Sequence, residues 1–206
     1  METTLNEPQK RLLAAIFEIG AEHAARALSG WLGRPVRLVV SSVRQVDLEA
    51  ACEVLGAADT LVAACPMELR GPLAGQIILV FDDRAGLALV DFLLRQPEGT
   101  TTTWGELEQS AARETANIVG CAYLNSLAAH LPTSSAEKTL EPGPPSFRHE
   151  FAASLLQFAL MDQATQSDQL LLIDTRFLAE EVELEWTLLL VPSGDSLRSL
   201  ISASSP

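Results

Sequence analysis

The chain has 206 residues, 48% of them hydrophobic, enough to bury roughly 70% of its unfolded surface without a disulfide or metal staple. Its 27 Asp and Glu against 14 Lys and Arg give a net charge of −13, which repels nucleic acid and anionic lipid at long range and sets both aside as partners. Cys52, Cys65 and Cys121 lack CxxC spacing, the start METTLNEPQK has no basic-then-apolar pattern, and the longest apolar runs are strand-length, so a reduced, cytoplasmic, non-membrane protein is expected.

In chain order, Thr4 followed by Glu7 has the spacing of a capping box, and Pro8 is tolerated in a first helical turn. A helix is predicted from there, with Leu12, Leu13, Ile16, Ile19, Ala24, Ala27, Leu28 and Trp31 at helical spacing, until Gly33 and Pro35 stop it. A β-branched run from Val36 to Val43 follows, then a short helix around Val46 to Leu55. Apolar strands at Thr60 to Leu69 and Gly75 to Phe81 lead to a helix from Arg84 to Leu94. The stretch QPEGTTTT, Gln96 to Thr103, reads as a linker. Thr103 and Glu106 repeat the capping signature, and one continuous helix is predicted from about Trp104 to Leu131, stopped by Pro132. Beyond it come a proline-rich loop (Glu141 to Pro145), a helix around Arg148 to Leu160, and strands near Gln169 to Leu178 and Val182 to Val191. A last short helix is predicted near Asp195 to Ile201.

The two long helical patterns are copies offset by 99 residues, which lays Thr103 on Thr4, Glu106 on Glu7, Ile118 on Ile19 and Leu127 on Leu28. The elements after each helix keep the same order, so the chain reads as two α/β repeats, 1–96 and 104–201, forming together one compact domain. The expected fold is α/β of the α+β kind, internally duplicated about a pseudo-two-fold axis. Its two hairpins join in one mostly antiparallel sheet, and the two long helices cover a face of it or lie along its edge.

On the second long helix Ser110, Glu114, Asn117 and Cys121 are spaced four, three and four residues apart, which places them within an arc of about 60°. Ala111, Thr115, Ile118 and Ala122 form an adjacent row able to face the core. Periodicity alone is equally satisfied by an ordinary solvated face. Against that stands Asn117, a poor helix former placed mid-helix beside Ile118 and Val119, where Lys, Gln or Glu serves the helix better.

Ser110, Glu114 and Asn117 followed by IVGCAYLNSL resemble the signature of the CheC, CheX and FliY phosphatases, and EIGAEHAARALSGWLG in the first helix resembles that family's other copy. The resemblance implies removal of the phosphoryl group from the aspartate of a CheY-like response regulator in chemotaxis signalling, with one site per chain. It assigns Asn117 to orient the attacking water, Glu114 to pair with the regulator's Lys, and Ser110 to a supporting contact. The chain needs no cofactor of its own, since the regulator supplies Mg²⁺. The offset lays Arg11, Ala15 and Glu18 on Ser110, Glu114 and Asn117, so the first site has lost both acid and amide. A family proline a little more than twenty residues past the Asn is also missing; Leu140 stands there, with Pro142, Pro144 and Pro145 just downstream. The other function class is a non-catalytic binding module, with CheD as a candidate partner, which the degenerate first site, the family's kinship with flagellar switch components and its habit of binding the CheD deamidase favour.

Remaining signals are weaker. No histidine stands at helical spacing from Cys121, so that thiol reads as a small hydrophobe rather than a nucleophile. His23, His130 and His149 are scattered, without ligand spacing, and read as structural or surface residues. Gly71, Pro72 and Gly75 read as a turn, because no GK[ST] follows.

Overall fold

A computed structural model describes residues 4–57, 59–71, 73–130, 140–161, 169–179, 182–193 and 196. The long helix α1, Glu7–Leu32, starts two residues later than Thr4 predicts. Asn6 is its cap: Asn6 Oδ1 accepts from the Gln9 N–H and Gln9 Oε1 from the Asn6 N–H, each at 2.9 Å. This is the same reciprocal motif moved along the chain, with Pro8 in the first turn. At the other end Gly33 takes a left-handed conformation (φ 68°) and its N–H caps Ser29 O, a geometry glycine adopts without steric cost. Its buried row is Leu13, Ile16, Phe17, Gly20, Ala24 and Leu28, while Leu12, Ile19 and Trp31 from the predicted apolar set are exposed.

Strand β1 is Arg37–Asp47, longer than the Val36 to Val43 reading, and Asp47 caps α2, Leu48–Leu55. The hairpin β2 (Leu61–Arg70) and β3 (Gly75–Asp82) precedes α3, Asp83–Leu94. The second long helix, α4, is Glu106–Ala128, so α1 and α4 begin 99 residues apart. Thr103 does not cap it; Gly105 is the N-cap and no side chain bonds there. Tertiary contacts fix this start instead, since Trp104 donates its indole N–H to Asp83 Oδ1 (2.7 Å) and packs its ring, tilted by 43°, against Phe147. Leu131 and Pro132 lie outside the described residues, as does the predicted helix at 195–201 except for Ser196.

Within the proline-rich segment Glu141–Pro142 forms a two-residue strand, β4, beside Leu69 and Arg70. Arg148–Phe151, expected to open a helix, is instead strand β5, and the helix α5 is Ala152–Met161. The correction has a clear cause: β5 pairs antiparallel with Leu61 to Ala64 and satisfies the otherwise open edge of β2. Last come β6, Gln169–Ala179, and β7, Val182–Pro192.

The described strands make one antiparallel sheet in the order β1-β6-β7-β3-β2, with β4 and β5 both on β2. The order reads the same from either end when the two halves are exchanged, which is the pseudo-two-fold arrangement. β1 lies against the second half's hairpin and β5 against the first half's, so the halves are interlocked through the sheet. One face carries α1, α3 and α4 over Met67, Ile77, Leu79, Phe81, Ile173, Phe177 and Leu188. The other carries α2 and α5 over Val62, Ile78, Val80, Leu170, Leu172 and Leu189. Coverage on both faces explains why Leu170 to Ile173 is apolar without alternation. The helices α1 and α4 touch each other closely, with Tyr123 lying where a Cβ on Gly20 would stand, 2.5 Å from the ring. Larger residues at position 20 would push the two helices apart.

Candidate functional site

On α4 the buried row is Ala112, Ala116, Val119, Tyr123 and Leu127, joined by Ala111 and Thr115, while Ile118 and Ala122 are only half-buried. The core-facing arc is therefore rotated from the row the sequence suggests. Its centre lies roughly 160° from the Ser110–Glu114–Asn117–Cys121 stripe. That stripe faces outward. Ser110 and Glu114 are exposed, Asn117 and Cys121 half-buried, and the helix runs unbroken through all four.

Sequence reasoning missed one contact within the stripe. The Cys121 thiol donates to Asn117 Oδ1 at 3.6 Å, within sulfur hydrogen-bond range. Burial, then the nearby Glu114 carboxylate, pushes the Cys121 thiol's pKa up, which keeps it protonated and able to donate. The i, i+4 spacing from an amide was the only signal available, and it does not distinguish a bonded pair from two neighbours.

The flank of α4 beside Asn117 rests on the edge of the sheet, because Gly120 lies against Met67 Sδ on β2. The segment 141–147 follows the same edge: Gly143 N–H donates to Glu68 O (2.7 Å) and Ser146 N–H to Pro66 O (3.0 Å). Leu140, standing where the family resemblance places a proline, is 8% exposed and part of the core cluster. Its burial anchors the entry to this segment.

The matching positions on α1, Arg11, Ala15, Glu18 and Glu22, are all exposed. The pseudo-symmetric face thus exists as a surface without the acid and amide. His149 plays a structural part, as the sequence suggested: its Nε2 is 2.8 Å from Asp83 Oδ1, the atom that also takes the Trp104 N–H, and so it ties β5 to the start of α3 and α4. Among the described residues no cluster of three or more His, Cys, Asp and Glu side chains has metal-binding geometry, and no helix is long and apolar enough to cross a membrane.

No family model matches the chain. Over 203 residues, 97% of this chain and 95% of its relative, it is 23% identical to the CheY-P phosphatase CheC of Bacillus subtilis. Thermotoga maritima FliY has the same fold, with a TM-score of 0.74 at 18% identity over 98% of each chain. FliM, solved in a Helicobacter pylori FliM–SpeE complex, matches with a TM-score of 0.71 at 12% identity over 97% of this chain and 96% of that one.

Proposed function

We propose that this chain is a CheC/CheX/FliY-type protein that hydrolyses the aspartyl phosphate of a CheY-like response regulator, a reading supported by its similarity to a CheC and its FliY fold. The observation that carries the reading is the outward stripe on one unbroken helix, with an exposed carboxylate one turn before a half-buried amide. Such a helix face can be inserted beside a shallow phosphoryl site on another protein, which a pocketed residue cannot. The similarity to a CheY-P phosphatase over nearly the full length supports the same partner class.

Phosphoryl transfer has a loose transition state, so catalysis comes from placing an in-line water and from charges already present, here the regulator's own Mg²⁺ and Lys. An amide is no base at neutral pH, yet it accepts from and donates to a water at once. Asn117 orients the attacking water. Glu114 pairs with the regulator's Lys and sets the register in which the helix docks. Ser110, one turn further toward the N-terminus, supports that contact. The α1 face, with Ala15 and Glu18 in place of the acid and amide, turns over nothing, leaving one active stripe per chain.

The experiment is to add this protein to a CheY-like receiver domain phosphorylated with acetyl phosphate and follow loss of the aspartyl phosphate. Faster loss than the receiver's own decay, abolished by Asn117→Ala, is the expected result. A second reading, binding without turnover, draws on the FliM-like fold and the degenerate α1 face; unchanged decay together with measurable receiver binding would favour it.

A further inference from the structure

We propose that Cys121 is a positioning residue for the reaction assigned above, its thiol tethering the Asn117 side-chain amide in the orientation that holds the water. The inference rests on the phosphatase reading and deepens it at one atom. An asparagine's terminal torsion is broad and nearly two-fold, so an untethered amide on an outward helix face samples both edges. Water positioning requires one of them.

Cys121 is placed to choose. Helical side chains lean toward the N-terminus, so position 121 reaches over the turn that carries position 117. Its Sγ lies 3.6 Å from Asn117 Oδ1. A protonated thiol is a donor, and neutral sulfur is a poor acceptor for an amide N–H, so this contact selects the carbonyl oxygen rather than the NH₂. Half-burial and the adjacent Glu114 charge both oppose ionisation, which keeps the donor in place. One lone pair of Oδ1 is then occupied. The second lone pair and the two N–H donors are not used by this contact and are left for the water.

The test uses two variants that lack a donor but differ in volume, Cys121→Ala and Cys121→Val. With the phosphorylated receiver as substrate, both should lower kcat about three- to tenfold, the range for one side-chain hydrogen bond expressed in the transition state, with KM unchanged. The Asn117 side-chain amide pair in ¹⁵N–¹H spectra of the free protein should be sharp in the wild type and shifted or broadened in both variants. Wild-type kcat in the valine variant alone would assign the effect to packing and overturn the proposal, as would a rise in KM at constant kcat. If the wild-type protein has no phosphatase activity, the phosphatase reading fails by itself. The tether is then decided by the amide resonances, and resonances identical in all three proteins overturn it.

Discussion

Asp91 is the most instructive perturbation outside the stripe. It lies in the last turns of α3, is 1% exposed, and receives three backbone N–H groups from the linker between the halves. Oδ2 takes Gly99 (2.7 Å) and Thr100 (3.0 Å), and Oδ1 takes Thr101 (2.8 Å). Asp91→Ala removes all three. Gly99 and Thr100 are exposed, so water takes over their N–H groups, and the low end of the range applies: about 1 kcal/mol per bond, or about 3 kcal/mol in total. In Asp91→Asn the amide oxygen keeps two neutral bonds and the NH₂ opposes one N–H, so about half that loss is expected. Urea unfolding followed by Trp fluorescence measures it. With a slope of about 3 kcal/mol/M for a chain of this size, the alanine midpoint should fall by about 1 M. Because the linker leads directly to Trp104 and the start of α4, the native emission of the variant should change as well. An alanine variant within about 0.5 kcal/mol of the wild type would refute the idea that this carboxylate staples the two halves.

Further expectations concern the stripe and the core. Asn117→Asp, which keeps size but places a negative charge beside a phosphoryl group, should be no more active than Asn117→Ala in the aspartyl-phosphate decay assay; retained activity would mean a general base rather than a water-positioning amide. Glu114→Ala should weaken binding of the phosphorylated receiver roughly tenfold, read by titration, because a charge-assisted contact is lost. Glu18→Ala should leave turnover within about twofold, and a large loss would move the active stripe to α1. Burial raises the pKa of Cys65 from 9.0 to about 12 and that of Tyr123 from 10.0 to about 12. Both groups stay protonated longer in the folded chain than in the unfolded one, so stability is full below about pH 9 and falls as pH rises toward 12. Tyr123→Phe should flatten the part of that slope above pH 10, measured by denaturation at successive pH values.

Much of this was legible from local signals. The two long helices, both hairpins and the 99-residue offset follow from periodicity and from Gly and Pro punctuation, because a helix or strand exposes its repeat directly in the order of apolar residues. The grouping of Ser110, Glu114, Asn117 and Cys121 needs only the helical repeat. Boundaries and partners were another matter. Thr4 and Asn6 each have a Glu or Gln three positions later, so the spacing fits both, and only the structure shows that Asn6 and Gln9 form the reciprocal bonds. The start of α4 was decided by Trp104 docking on Asp83 and Phe147, residues 21 and 43 positions away.

Sequence alone determined that Glu114 and Asn117 share a side of one helix, since that follows from the fixed rise and twist of the backbone. Only the tertiary structure decided that this side faces solvent, because Ile118 and Ala122 were as plausible a core row as Ala116 and Val119 until α1 and the sheet closed on one of them. It likewise turned Arg148–Phe151 from helix to strand, because the unpaired edge of β2 offered four residues of backbone pairing that no local pattern records. The interlocking of the halves, with β1 on the second hairpin and β5 on the first, has the same origin. Strand pairing is a contact between segments more than 80 residues apart, and a linear pattern states what each strand buries without stating which edge it meets.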